Sequence, residues 1–212
     1  YKYKNLMDEE FSFGLDVAAI SDPRFIKLAI QKNSPTYLIT SEGNILHTAV
    51  RYGFGKNSDT IKVLIDSIDR RERQDFKFGA AKFINGKDYE GKTPLWLAVD
   101  KNRVEVAATL IEKNAQIGIP DERGYFPLHI ASLNNNLVLI KLLLQYEADV
   151  DSINKWGQSS LYLACENGHF MSVIELLKNK ANRDLKTTVG KTALQIATEN
   201  KHKSIIAAFR KY

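Results

Sequence analysis

The sequence predicts an all-α solenoid of about six stacked helix–turn–helix units joined by hairpin-like turns. Three observations predict it. Leu95, Leu128, Leu161 and Leu194 recur at one constant interval. Alanine follows each leucine at the third position (Ala98, Ala131, Ala164, Ala197), and glycine precedes each at the fourth (Gly91, Gly124, Gly157, Gly190). A further unit carries Leu46 and Ala49, with Gly43 displaced by one.

Each unit reads in the same order. The glycine marks a tight turn, because a positive backbone φ strains any residue with a Cβ. Thr93-Pro94 then opens a short helix, Thr as a cap and Pro in the first turn. Asn102, Asn135 and Gly168 close that helix with residues that tolerate the left-handed region, and Lys201 departs from this pattern. A second apolar helix follows, over Val104 to Ile111, Leu137 to Leu144, Phe170 to Leu177 and Ser204 to Phe209. Two helices this short cannot bury their apolar faces alone, so neighbouring units must stack to make a core.

These residues resemble the ankyrin repeat family, whose unit has the same length, about 33 residues, and a Thr-Pro-Leu-His-x-Ala signature. The matching stretches are Thr93-Pro94-Leu95-Trp96, Phe126-Pro127-Leu128-His129, Ser159-Ser160-Leu161-Tyr162 and Thr192-Ala193-Leu194-Gln195, with Asn44-Ile45-Leu46-His47 a weaker match. Tyr146 to Asp151 and Lys180-Ala181-Asn182 are similar to the family's Gly-Ala-Asp-Val-Asn end. Residues 1–40 are read as a degenerate N-terminal capping unit, with Asp16, Asp22, Arg24 and Lys27 on its polar outer face. The unit at 41–87 carries insertions at about 54–60 and 66–83, since the step from Leu46 to Leu95 is half as long again as the regular one. Units at 88–120, 121–153 and 154–186 follow, and 187–212 is the C-terminal cap. The second insertion contains Phe76, Phe78 and Phe83, and reads either as a lengthened helix with a solvated loop or as a contact element.

Composition narrows the function classes. Residues 1–87 carry a net +3, residues 88–153 a net −4 and residues 154–212 a net +6. An acidic middle between basic ends can steer a charged partner. One cysteine, Cys165, excludes an internal disulfide and a Cys-rich metal framework. No apolar run is long enough to span a bilayer, so membrane insertion is not expected. The chain begins at Tyr1 and not at methionine, which leads us to expect a piece of a longer protein. Abundant Lys, Asn and Ile point to an AT-rich genome. With the repeats, this resembles the ankyrin-containing effectors of intracellular bacteria, which implies a cytoplasmic location, in the host if so.

No catalytic residue, metal ligand, cofactor or small-molecule substrate is expected. His47 and His129 follow the repeat leucine, and His169 and His202 share another repeat position, so all four read as structural. Cys165 lies where other units carry Val50, Val99, Ser132 and Thr198, a small packed site. Gly53-Phe54-Gly55-Lys56 is too short for a phosphate-binding loop.

The family resemblance implies a concave face, made of turn tips and first helices, that binds a protein partner. The exposed tip positions are expected six, five and three residues before each leucine. On that basis Tyr89, Lys92, Arg123, Tyr125, Lys155 and Trp156 are candidate partner-binding residues, with Trp96 and Tyr162 in the signature-histidine position near the same face. Tyr89, Tyr125 and Trp156 put large aromatics on three successive tips, and aromatics and Arg dominate interface hot spots. The blander alternative is that each ring folds back onto its own turn. Two other functions stay open. The repeats could recruit substrate for an enzyme outside this chain, or the basic C-terminal block (Lys186, Lys191, Lys201, Lys203, Arg210, Lys211) could bind nucleic acid. Asp184 and Glu199 interrupt that block, which argues against nucleic acid.

Overall fold

A computed structural model of the chain describes residues 43–52, 58–72 and 83–211. Within them all regular structure is helical, apart from a bridge position at Gly43 and an isolated bridge between Ile153 and Ser159. The first helices are α1 (Ile45–Tyr52), α3 (Pro94–Asp100), α5 (Pro127–Leu133), α7 (Ser160–Glu166) and α9 (Ala193–Glu199). The second helices are α2 (Asp59–Glu72), α4 (Val104–Glu112), α6 (Leu137–Gln145), α8 (Phe170–Lys178) and α10 (Lys203–Ala208). First helices pack on first helices in chain order, and second helices on second helices, giving two parallel layers. The all-helical repeat solenoid expected from the period is what forms. The proposed 1–40 capping unit lies outside the described residues.

Local chemistry explains each helix start. Thr93 Oγ1 accepts the Trp96 N–H at 3.1 Å, Ser159 Oγ accepts that of Tyr162 at 3.2 Å, and Thr192 Oγ1 that of Gln195 at 3.3 Å. Pro94 and Pro127 sit in the first turn, where no N–H is needed. Phe126 has no oxygen to offer, and the neighbouring histidine works in the other direction: His129 Nδ1 accepts the Phe126 N–H at 3.0 Å. The helix ends need φ > 0. Asn102, Asn135 and Gly168 supply it, and Lys201 takes the same conformation with φ 60. A left-handed lysine costs about 1 kcal/mol or more, which the surrounding stack imposes.

The core runs the length of the stack. Leu46, Leu95, Leu128 and Leu161 are at most 1% exposed, and each packs in a continuous cluster with Ala49, Ala98, Ala131 and Ala164. Leu194 holds the same repeat position yet is 38% exposed, because no described residue covers that side of α9. The glycines report the same asymmetry. A Cβ on Gly124 would meet the Lys155 backbone nitrogen at 2.9 Å, whereas one on Gly190 would meet nothing within 4 Å. Tight unit-to-unit approach is therefore what demands glycine before the leucine, together with φ +83 at Gly124.

Of the insertion placed at 66–83, the first part continues the second helix: α2 has 14 residues where α4 has nine. Phe76 and Phe78 lie outside the described residues. The Phe83 carbonyl accepts a 2.7 Å bond from Asn44 Nδ2, and Ile84 joins the core. Cys165 is fully buried in α7, and burial pushes its thiol up to about 12. Native protein at pH 8 should therefore resist Ellman's reagent, and the chain unfolded in guanidinium should react with one equivalent. Rapid stoichiometric reaction of the folded protein would show Cys165 to be accessible.

Candidate functional site

Each hairpin tip is organised by one acceptor seven residues before the repeat leucine. Asp88 Oδ1 accepts the N–H groups of Glu90 and Lys92 at 3.0 and 2.9 Å. Asp121 Oδ1 accepts those of Arg123 and Tyr125 at 3.0 and 2.8 Å, and Asn154 Oδ1 those of Trp156 and Gln158, both at 3.0 Å. Thr187 Oγ1 accepts the Lys191 N–H at 3.2 Å. The strand-like arms close on themselves, with Asp88 N to Lys92 O and its equivalents at 2.9–3.1 Å. Successive tips are then tied together. Glu122 N donates to Glu90 O at 3.1 Å, Lys155 N to Arg123 O at 3.2 Å and Thr188 N to Trp156 O at 2.9 Å. These acceptors were visible in the sequence as Asp, Asp, Asn and Thr at the repeat period, a signal the apolar pattern overshadowed. A row of rigid tips results.

The candidate residues divide into three groups on this frame. Tyr89 is 62% exposed, and no described ring stacks on it. Arg123, Lys155 and Trp156 are also exposed. Tyr125 is half-buried: its ring lies 5.7 Å from that of Trp156, tilted 48°, and stands edge-on to His129 at 6.0 Å. The two aromatics thus pack across neighbouring units, an arrangement other than each ring folding onto its own turn. Trp96 and Tyr162 are only 5% and 6% exposed. Trp96 is committed to the stack, its Nε1–H donating to the Tyr125 carbonyl at 2.8 Å. Lys92 lies over the Trp96 ring at 4.7 Å from its centroid and pairs with Glu90 at 2.5 Å. The position three before each leucine, expected to be exposed, is only partly so, because its backbone closes the hairpin.

Tyr125, Trp156, Gln158, Tyr162, Thr187, Thr188 and Val189 line an open depression of about 370 Å³. Val189, 74% exposed, and Trp156, 45% exposed, are its most open apolar members. Burial raises the phenols of Tyr125 and Tyr162 and the Glu166 carboxyl, so apolar surroundings dominate there. Glu90 is held below the usual range by its hydrogen bond from Lys92.

The histidines anchor backbone carbonyls, His129 within its own unit and His47 and His169 across to a neighbouring one. His129 Nε2 donates to the Ser152 carbonyl at 3.0 Å, His47 Nε2 to that of Lys92 at 2.9 Å, and His169 Nδ1 to that of Ser132 at 2.9 Å. Among the described residues no group of three His, Cys, Asp or Glu side chains is placed to hold a metal ion. None of the described helices is long and apolar enough to cross a membrane.

The sequence model described as "Ankyrin repeats (3 copies)" matches residues 15–121 and 128–211, nearly the whole chain. The chain belongs to the ankyrin repeat family. No curated protein matches it significantly. Ankyrin repeats are generally protein–protein interaction modules, and the tied row of tips suits that use: it displays side chains from several units at fixed spacing. Loss of ordering entropy on binding is small when the backbone is already fixed.

Proposed function

We propose that this ankyrin stack is a non-catalytic module that binds a protein partner on the concave face formed by the turn tips and first helices. The observation that carries this is the Tyr125–Trp156 pair, packed ring against ring across two units in the lining of an open depression and flanked in sequence by the exposed Arg123 and Lys155. Rings held rigid before binding lose little freedom when a partner covers them, and such residues dominate interface energetics. Tyr89 and Lys92 extend the surface towards the preceding units. Trp96 and Tyr162 act from below, supporting it. Recruitment of a substrate for an enzymatic part of a longer chain would use the same surface.

Trp156→Ala should weaken partner binding by about 2 kcal/mol or more while leaving helicity unchanged. The partner would first be identified by pull-down, comparing the intact chain with the Tyr125→Ala/Trp156→Ala variant, and its affinity then measured by calorimetry. Unchanged affinity with a lowered melting temperature would make the pair a strut between units and remove it from the interface.

A further inference from the structure

The second-helix layer has a surface of its own. Val138 and Met171, one repeat apart, are 59% and 54% exposed at equivalent positions of α6 and α8, and Phe170 beside Met171 is 39% exposed. The equivalent residue of α4 is Glu105, so this apolar strip begins at α6. Between α8 and α10 it deepens into a recess of about 330 Å³, walled by Phe170, Met171 and Ile174. The recess exists because α10 carries Ser204 and Ala207 where α8 carries Met171 and Ile174.

The charge around it is one-sided. Over 137–145, 170–178 and 203–211 the cations are Lys141, Lys178, Lys203, Arg210 and Lys211, and the sole carboxylate is Glu175. That carboxylate is largely covered and has Lys141 3.9 Å away. Lys203 begins α10 and Lys178 ends α8, while Arg210 and Lys211 follow the end of α10, with Lys211 in the lining of the recess. The recess is therefore flanked by positive charge at both ends. Its length is set by the nine residues of α8, or about 13 Å. An exposed apolar strip rimmed by charge marks a contact surface, and two side-by-side helices offer a groove that a third helix fits.

We propose that this face, on the helix layer away from the hairpin tips, docks an acidic amphipathic helix of a protein. One or two apolar side chains of that helix enter the recess between α8 and α10, and carboxylates about two turns apart meet Lys203 at one end and Lys178 and Arg210 at the other. A recess takes side chains in, which favours a helical segment over a bilayer, into which residues must project. The surface works independently of the Tyr125–Trp156 site.

The test uses the whole chain and a fluorescein-labelled helical peptide of about four turns, roughly fourteen residues, with one leucine stripe flanked by glutamates. Anisotropy should show saturable binding that weakens with added salt. Met171→Asp and the Lys178→Glu/Lys203→Glu pair, both at exposed positions, should each weaken it at least tenfold, and Trp156→Ala should leave it unchanged. A peptide with serine in place of leucine, or with lysine in place of glutamate, should not bind. Absence of saturable binding, equal binding of the lysine peptide, or insensitivity to Met171→Asp in a variant whose circular dichroism is native would overturn the proposal. So would sedimentation with phosphatidylserine vesicles that Met171→Asp abolishes in the absence of peptide binding, which would assign the face to lipid.

Discussion

Leu128→Ala should destabilise the protein by about 2–5 kcal/mol, the cost of opening a cavity in the middle of the stack. Leu128 is 1% exposed at the middle of the stack, and α5, which carries it, packs against both α3 and α7. Truncation removes the transfer energy of the side chain and leaves a cavity between two unit interfaces that backbone hydrogen bonds hold in place, so collapse is limited. In a linear array, stability is a sum of unit and interface contributions, and an interior defect weakens two interfaces together. Leu194→Ala provides the internal comparison. It is the same change at the same repeat position, but over a third of that residue already meets solvent, and the cost should be about 1 kcal/mol. Urea denaturation followed by circular dichroism at 222 nm would measure both. Equal losses for the two variants would show that Leu128 is not packed between units as described.

The contrast between those leucines also shows which parts of the structure could be read from the sequence. Leucine, alanine and glycine recur because close packing and a positive φ each tolerate few residue types, so the stack and the second helices from Val104 onward were legible to within a residue or two. The acceptor seven positions before the leucine was harder to see, because Asp88, Asp121, Asn154 and Thr187 do one job with three chemistries. Lys201 departs from the Asn/Gly pattern in sequence yet keeps the left-handed backbone, since the stack fixes the geometry and the residue bears the strain. At the site, Trp96 and Tyr162 replace the signature histidine, and sequence placed them near the binding face. Both rings are nearly fully buried, Trp96 bonded to the next unit's Tyr125 carbonyl and Tyr162 in the lining of the depression. The second-helix surface was hidden for a different reason. Leu137–Gln145 is apolar on nearly every side, so its periodicity does not say which of Val138, Leu139 and Ile140 faces solvent. Only the packing of neighbouring helices decides that Val138 does.

Acid should unfold this protein through His129 before most carboxylates lose their charge. The His129 ring is fully buried in the core, and burial holds its pKa down to about 4, against 6.5 for the free side chain. Its two nitrogens are both committed, Nδ1 accepting the Phe126 N–H and Nε2–H donating to the Ser152 carbonyl, each at 3.0 Å. Protonation would place a charge in the core and turn the Nδ1 acceptor into a second donor facing an N–H. The sign follows from proton linkage: below pH 6.5 the unfolded chain binds a proton that the native state refuses until about pH 4. Stability is therefore complete above pH 6.5 and declines as pH falls, by about 3 kcal/mol across that window. His47, lowered mainly by burial as well, adds to the decline in the same direction. The chain supplies its own control. At the same repeat position Gln195 Oε1 accepts the Thr192 N–H at 2.8 Å, so an amide can fill the role of Nδ1. His129→Gln should lose about 1 kcal/mol at pH 7, from the missing bond to Ser152, but should show a markedly smaller fall between pH 6.5 and 4.5. Carboxylate titration is common to both proteins and cancels in the difference. Parallel stability–pH curves for the two would mean that the buried imidazole is not the group that couples folding to acid.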